Sequence, residues 1–392
     1  MRYYTISVLM LFMPVVLQGQ SKQMVDKNNK FAIELLNHVY SDSKNSVLSP
    51  VSIFVAMAMA YEGASGSTAK EFVKVFGFEK KKTLHHKSFV GLLNHYNTYS
   101  DNLRMANALM AQQDYPFRKE FFDLMADYGA MVQYANFRNE TERDAARRVV
   151  NNWVEKQTDS KIKELIKKNI LDELTRLILV NAIYFKADWA IEFNDKKTRQ
   201  MIFYGPDKQT ISHYMHGRDN YMYYEDSLIQ ILEMAYSGNA FSMLVVLPRN
   251  NIKLGDFIKS IDTYKLNELT SAMSKQHVDV LMPLFTSRDE VALKTIFESM
   301  GMKHAFAGTA NFKKITGRND LHIAEVVHRT FLKIDEKGTE ASAASAVIIR
   351  EKSAPAVKPI FFNANRPFIY YIRDNKNDLI LFIGSVNRPQ KD

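Results

Sequence analysis

A long run of small residues between two strand-like segments constrains this chain more than any other feature. The run extends from Glu336 to Pro359, between candidate strands at 332–335 and from Phe361 onward. A connection of that length without secondary structure of its own is unusual in a compact domain, and such connections often carry function. We therefore expect this segment to be the functional one.

Read with the two-residue period of a β-strand, the run presents one face of small, uncharged side chains. That face contains Thr339, Ala341, Ala343 and Ser345. No proline occurs from 338 to 354 to remove a backbone donor. The segment can therefore be an exposed loop in one state and a buried central strand in another.

The first nineteen residues have the layout of a secretory signal peptide. A short charged start at Arg2 precedes an apolar stretch at 6–17 and the small residue Gly19. The stretch is too short to cross a bilayer, and no later segment approaches about twenty uninterrupted apolar residues. We expect residues 1–19 to be a signal peptide and the protein to be secreted and extracellular, without a membrane partner.

The remaining residues, 20–392, show no repeat, linker or break in composition, so one domain is expected. Apolar residues at helical spacing predict amphipathic helices at 24–40, 142–158 and 290–300. Strands are predicted at 177–185, 230–236, 242–247, 278–285, 368–372 and 379–383. Helices precede strands instead of alternating with them, which indicates an α+β fold.

The chain contains no cysteine, so disulfides cannot stabilise it. The same absence excludes cysteine nucleophiles and thiolate metal sites. The formal net charge of +9 favours anionic partners such as sulfated polysaccharides, nucleic acids or membrane surfaces. The densest basic cluster contains Lys80, Lys81, Lys82 and Lys87, and both a solvated helix start and a polyanion-binding surface fit it.

The sequence carries no complete catalytic or metal-binding motif. Residues 63–67 (Gly-Ala-Ser-Gly-Ser) come near a nucleophile elbow but have serine where the turn requires glycine. His213 and His216 form an isolated H-x-x-H without a carboxylate at ligand spacing. Phosphate-loop and dinucleotide-binding patterns are missing as well. We expect no enzyme activity, no metal and no catalytic cofactor.

The segments on both sides of the small-residue run contain a set of motifs that occur together in one known family. Upstream, the matching motifs are 45–52 (NSVLSPVS), 62–69 (EGASGSTA), 152–155 (NWVE) and 179–186 (LVNAIYFK). Around and after the run they are 326–329 (VVHR), 335–341 (DEKGTEA), 365–368 (NRPF) and 381–384 (LFIG). With these motifs the chain resembles the serpin family. The resemblance implies the serpin fold, with three β-sheets, eight or nine helices and an exposed reactive-centre loop at about 336–360.

The same resemblance implies an irreversible inhibitor of serine proteases. A protease attacks the bait bond, forms its acyl-enzyme and is trapped as the cleaved loop inserts into the main sheet. The family's loop register puts this bond between Lys352 and Ser353, with Arg350 as the alternative bait residue. A lysine suits the carboxylate-ended specificity pocket of trypsin-like proteases. A non-inhibitory serpin with a carrier, chaperone or storage role is the alternative.

Further roles follow from the resemblance, residue by residue. The hinge positions are matched by Glu336, Gly338, Thr339, Ala341, Ala343 and Ser345. Polar shutter positions beneath the main sheet are matched by Ser49, Ser52, Asn181 and His328, and the breach, where the loop first enters, by Trp189. Leu284 replaces a basic residue that often pairs with the hinge acid. Glu336 is therefore expected to lack that partner, which favours partial insertion of the loop.

The expected partner is a trypsin-like serine protease, held covalently by a monomeric inhibitor, and nucleic acid is not expected. Some serpins bind heparin-like chains near the helix that follows Lys80. The basic cluster therefore has two interpretations, a site for a glycosaminoglycan accelerator and a solvated helix start. Asn139, in Asn-Glu-Thr, is the sole N-glycosylation acceptor and predicts a glycoprotein. The basic bait residue points to cascade proteases of innate immunity as targets.

Overall fold

The computed structural model describes residues 14–339 and 359–390, with side chains from residue 22 onward except at 169 and 327. The fold is α+β, as the sequence predicts. The described residues contain ten α-helices: α1 (Pro14–Val39), α2 (Pro50–Gly63), α3 (Gly66–Phe76), α4 (Lys82–Asn97), α5 (Lys119–Asp127), α6 (Glu140–Gln157), α7 (Leu254–Ser260), α8 (Thr263–Ser271), α9 (Lys294–Met300) and α10 (Lys313–Thr316). The last is a single turn, which accounts for one helix more than expected.

Three sheets are formed, of nine, four and three strands. Their strands are β1 (Ser46–Leu48), β2 (Leu103–Gln112), β3 (Met131–Ala135), β4 (Leu177–Phe185), β5 (Ala187–Asp188), β6 (Arg199–Tyr204), β7 (Gln209–Glu225), β8 (Ile229–Ala235), β9 (Phe241–Pro248), β10 (Ser274–Pro283), β11 (Phe285–Ala292), β12 (Val327–Ile334), β13 (Gly338–Thr339), β14 (Ile360–Asn363), β15 (Phe368–Asp374) and β16 (Ile380–Val386).

The nine-stranded sheet has the order β1-β16-β15-β9-β8-β7-β10-β14, with β6 paired to β7. Strands β9 and β16 are buried along their whole length. They therefore appear in the sequence as continuous apolar runs instead of alternating patterns.

Helix α2 lies at the centre of the core. Proline at its first position is favoured because the missing N–H would have no helical partner, and the Ser49 hydroxyl caps the helix by accepting the Ser52 N–H. Apolar side chains cover its whole circumference, as expected of an enclosed helix. The helix contacts both β4 and β16, and so it brings Ser49 and Ser52 against the sheets.

The four-stranded and three-stranded sheets are separated by an opening between β4 and β12. On their outer sides, β4 pairs with β2, and β12 pairs with β11. Within the described residues no ladder joins β4 to β12, although the two strands are in contact. Among residues 14–339 and 359–390, the chain bridges them at one end, where β13 pairs with both β12 and β5. Facing strand edges without a ladder form a ready template for an additional strand.

Two predicted elements have different bounds in the structure, and helix α1 overlaps the predicted signal peptide. The helix expected at 290–300 begins only at Lys294, because Glu290 pairs across the strands with Arg329 and forms an ion pair with it at 2.8 Å. The strand expected at 278–285 is divided, since β10 ends at Pro283 and β11 begins at Phe285. Helix α1 begins at Pro14, inside the segment predicted as a signal peptide.

Candidate functional site

The chain leaves β12 through a tight turn and returns into the opening at Thr339. The Asp335 N–H donates to the Gly338 carbonyl at 3.0 Å, which closes the turn. Thr339 then pairs with Ile334 of β12 on one side and with Ala187 of β5 on the other. Thr339, the first residue of the small-residue face, therefore lies between β12 and β5.

Gly338 sits where the returning chain passes closest to β5. A Cβ atom at this position would lie 2.1 Å from the Ala187 carbonyl oxygen and 2.7 Å from the Asp188 Cα. Both are backbone atoms, which cannot move aside as the end of a flexible side chain can. Glycine is therefore needed at this hinge position for the strand to enter.

Two stacked aromatic rings form the wall beside the entry point. The Trp189 ring stacks on Tyr236 at a centroid distance of 4.5 Å, and its Nε1–H donates to the Asp335 carbonyl at 2.9 Å. The Tyr236 and Thr339 hydroxyls form a hydrogen bond of 2.6 Å. The sequence predicted Trp189 here but not Tyr236, whose only signal was its place at the end of a strand candidate.

Glu336 has the kind of environment that the Leu284 replacement predicts. Its carboxylate accepts the Thr198 hydroxyl at 2.7 Å and forms no ion pair with any residue in 14–339 or 359–390. The backbone holds the hinge instead, because the Trp189 and Phe193 N–H groups donate to the Lys337 and Glu336 carbonyls at 2.7 and 2.9 Å. Thr339 follows this turn directly, and the partial insertion expected from the sequence stays a prediction.

His328 of β12 lies beneath the opening and accepts hydrogen bonds. Its Nε2 accepts the Ser49 backbone N–H at 3.0 Å and lies 2.5 Å from the Thr330 hydroxyl. Complete burial lowers the pKa of His328 to about 3, so the ring is neutral at physiological pH. The ring therefore acts as a structural acceptor that ties β12 to the start of α2.

The other side of the opening is tied to the same helix. The Ser52 hydroxyl donates to the Asn181 side-chain carbonyl of β4, and the Asn181 side-chain amide donates to the Asn107 side-chain carbonyl at 2.6 Å. The four predicted shutter residues are thus brought together, in two hydrogen-bonded groups that share α2. Asn107 and Thr330 extend these groups, and no motif in the sequence pointed to either.

A cavity of about 300 Å³ lies between these two groups. Asn181 of β4 and His328 of β12 line it from opposite sides, and Ile53 and Met57 of α2 are part of its floor. The space into which a further strand would pass is therefore already partly open.

The remaining loop positions lie outside the described residues. These are Ala341, Ala343, Ser345, the alternative bait residue Arg350 and the Lys352–Ser353 bond. Their roles stay predictions from the resemblance.

The basic cluster at the start of α4 is divided by the fold. Lys80, Lys81 and Lys87 are exposed. Lys82 turns inward, where its Nζ lies 2.9 Å from the centre of the Tyr61 ring and donates to the Tyr61 carbonyl. Burial lowers the pKa of Lys82 to about 7. The expected polyanion surface therefore contains three of the four lysines, because the Lys82 ammonium is directed into the protein.

The glycosylation acceptor and the histidine pair are both described. Asn139 is exposed and caps α6 by accepting the Glu142 N–H at 3.1 Å. His216 forms a 2.7 Å contact with Asp279, and across residues 14–339 and 359–390 no group of three His, Cys, Asp or Glu side chains is placed to hold a metal ion. None of the described helices is long and apolar enough to span a membrane.

Comparison with known proteins identifies the family. The family model described as serpin (serine protease inhibitor) matches residues 26–389. The chain belongs to the serpin family. An uncharacterized serpin-like protein of Thermococcus kodakarensis is 33% identical, over 96% of this chain and 88% of that protein. The leukocyte elastase inhibitor of Xenopus tropicalis is 34% identical, over 92% of this chain and 97% of that protein.

Among solved structures, human thyroxine-binding globulin complexed with thyroxine is similar to this serpin. Its TM-score is 0.85 at 28% identity, covering 95% of this chain and 100% of that chain. Family membership confirms the expected fold and agrees with a role other than catalysis. Since the names of these relatives include both an inhibitor and a thyroxine-binding protein, the choice between such roles depends on this serpin's own hinge and loop.

Proposed function

We propose that this serpin is a single-use inhibitor of trypsin-like serine proteases. The observation that carries the proposal is the position of Thr339, paired with Ile334 and Ala187 at one end of the opening. A loop cut at the bait bond can continue inward from this residue along edges that no ladder joins. Its inserted length then carries the attached protease across the molecule.

The register of Thr339 determines which residues would meet during insertion. Counting two residues at a time, Ala343 would come opposite Ile183 and Thr330, and Ser345 opposite Asn181 and His328. The nine residues of β4 offer an edge of roughly 30 Å at about 3.3 Å per residue. With a net gain near 1 kcal/mol per hydrogen bond, pairing along both edges would lower the free energy by on the order of 10 kcal/mol.

The chemistry of inhibition belongs to the protease. Its serine attacks the Lys352 carbonyl carbon, the peptide bond to Ser353 breaks, and an ester joins the protease serine to Lys352. Hydrolysis of that ester requires an intact oxyanion hole and a correctly placed histidine. Loop insertion disturbs this geometry before water completes the reaction, so the serpin contributes displacement and no catalytic group.

Incubation with trypsin, followed by SDS gels and mass spectrometry, tests the proposal. We expect an SDS-stable complex and a released fragment that begins at Ser353. Lys352→Ala should abolish the complex, and Arg350→Ala, the matched control, should retain it. Loss of the complex only with Arg350→Ala, and a fragment beginning at Glu351, would move the bait to Arg350.

A non-inhibitory carrier role is the second candidate. Its support is the likeness to thyroxine-binding globulin, which by its title is complexed with thyroxine. The same incubation separates the two roles. Complete cleavage of the loop by trypsin, without any covalent adduct, would support the carrier and contradict inhibition.

We further propose that the protein is secreted and glycosylated, and that its targets belong to an innate immune cascade. The proposal rests on the signal-like segment 1–19, on the exposed acceptor Asn139 and on the basic bait residue. Expression in eukaryotic cells should yield protein in the medium, with a new N-terminus near Gln20. Asn139→Gln should abolish any mass shift caused by glycosidase treatment.

A further inference from the structure

A second cavity, of about 420 Å³, lies behind the hinge. It shares no lining residue with the cavity between β4 and β12. Its volume falls within the range of small-molecule sites in proteins. The residues that define its character are Trp189, Phe193, Met222, Glu233, Lys275 and Arg373.

One end of this cavity carries charged side chains. Met222 of β7 pairs directly with Lys275 of β10 and with Glu233 of β8, which puts all three side chains on one face. Arg373 donates to the Glu233 carboxylate at 3.0 Å and to the Asp378 carboxylate at 2.8 Å, so two carboxylates share its charge. Lys275 is exposed and forms no ion pair within residues 14–339 and 359–390. The Lys275 ammonium is therefore the group at this cavity that is left for an anionic ligand.

Trp189 and Phe193, which are 2% and 6% exposed, form an apolar wall of the cavity, and Met222, which is 39% exposed, lines it as well. The polar residues Asn220, Asn239 and Asn375 also belong to the lining. An apolar surface beside an uncompensated ammonium is complementary to a molecule with an apolar body and an anionic head. A neutral apolar ligand would leave the charge unused, and a small inorganic anion would leave the wall uncovered.

The same wall holds the hinge. The Trp189 and Phe193 N–H groups donate to the Lys337 and Glu336 carbonyls at 2.7 and 2.9 Å, and the indole N–H donates to the Asp335 carbonyl at 2.9 Å. Any molecule that restrains these two aromatic residues therefore also restrains the turn that leads to Thr339.

We propose that this cavity binds an amphipathic organic anion, an aryl or alkyl carboxylate or sulfonate, with its head on Lys275 and its body against Trp189, Phe193 and Met222. The bound ligand holds the 335–338 turn in its present position. As a consequence it slows further insertion of the loop, a step that rests on the inhibitory function proposed above.

Fluorescence provides the binding test, because Trp153 and Trp189 are the two tryptophans of the chain. In a Trp153→Phe background, titration with anilinonaphthalene sulfonate should give saturable energy transfer from Trp189, reversed by decanoate. Lys275→Glu should weaken binding at least about tenfold through like-charge repulsion. Lys259→Glu, an exposed lysine on α7 outside the cavity, should leave it unchanged. Equal affinity in the Lys275→Glu variant would overturn the site.

Hydrogen exchange tests the coupling without any protease. The sulfonate should slow exchange in a peptide covering 335–339 by about twofold or more in the wild type, and not in Lys275→Glu. Binding without slower exchange would disprove the coupling and leave the site intact. Because neither measurement requires a covalent protease complex, failure of the inhibitory proposal would be recognised separately in the trypsin assay.

Discussion

The hydroxyl groups of Tyr236 and Thr339 lie 2.6 Å apart at a site where both residues are fully buried. Burial raises the pKa of Tyr236 far above its usual range, so the phenol stays protonated. Thr339 is thereby held by a side-chain hydrogen bond in addition to its pairing with β12 and β5. The proposed loop entry would therefore start from an anchored residue and not from a free end.

Removing the Tyr236 hydroxyl should weaken the attachment of Thr339. Tyr236→Phe leaves the Thr339 hydroxyl buried without its partner, at a cost of about 1–3 kcal/mol. Hydrogen exchange in the 335–339 peptide should therefore become faster. Tyr264→Phe serves as the control, since Tyr264 is 80% exposed on α8. Unchanged exchange in Tyr236→Phe would mean that the strand pairings alone hold Thr339.

Gly338→Ala should exclude Thr339 from the opening, because the new Cβ would overlap the Ala187 carbonyl oxygen. We expect faster exchange at the hinge and more serpin cleaved per trypsin molecule inactivated. Gly91→Ala provides the comparison, since a Cβ at that position of α4 meets no atom within 4 Å. If Gly338→Ala matched Gly91→Ala in both measurements, close approach at residue 338 would not limit insertion.

The two faces of the loop should respond differently to a charge. Ala343→Arg would bury an unpaired guanidinium during insertion, at a cost of several kcal/mol, whereas Ala344→Arg faces outward in the same register. Cleavage at the bait bond should raise the unfolding temperature of the wild type and Ala344→Arg but not of Ala343→Arg. Equal gains in both variants would contradict the proposed register.

His328 should make stability depend on pH. Burial lowers its pKa to about 3, below the ordinary value of 6.5, so only the unfolded chain binds a proton at intermediate pH. The contribution of the neutral ring is complete above about pH 6.5 and is lost as pH falls toward about 3. Between about pH 7 and pH 4, the free energy of unfolding measured with urea should fall by a few kcal/mol more in the wild type than in His328→Gln.

In the comparison with His328→Gln, the contribution of a second buried histidine to the pH dependence of stability cancels. Burial lowers the pKa of His85 to about 3 as well, and this residue is present in both proteins. Equal losses of stability in the two proteins would show that the pKa of His328 does not differ between the folded and unfolded states, contrary to what its burial requires.

Heparin should accelerate protease inhibition through the exposed lysines only. The triple variant Lys80→Gln, Lys81→Gln, Lys87→Gln should reduce the acceleration and its salt dependence, because fewer ionic contacts are formed. Lys82→Gln should mainly lower the unfolding temperature, since its ammonium packs on Tyr61. Inhibition rates that heparin does not change in the wild type would eliminate the site.

Long apolar segments were predictable from the sequence, whereas contacts between distant segments were not. The strand at 177–185 was predicted with its correct bounds because β-rich, apolar residues fill both of its faces. The resemblance placed Ser49 and His328 in one group, yet their bond spans 279 residues and no local pattern encodes it. Lys82 appeared equivalent to its neighbours, and only the packing of α4 on Tyr61 distinguishes it. Short-range patterns report the faces of an element but not which element covers them.

Thr339, fixed between Ile334 and Ala187, determines which face of an inserted strand each later side chain of the loop would occupy. Deleting one residue immediately after Thr339 would exchange the two faces downstream and turn side chains meant for solvent toward the core. Deleting two neighbouring residues would preserve that alternation and merely shorten the tether. Natural variation in the length of this stretch should therefore occur in even steps.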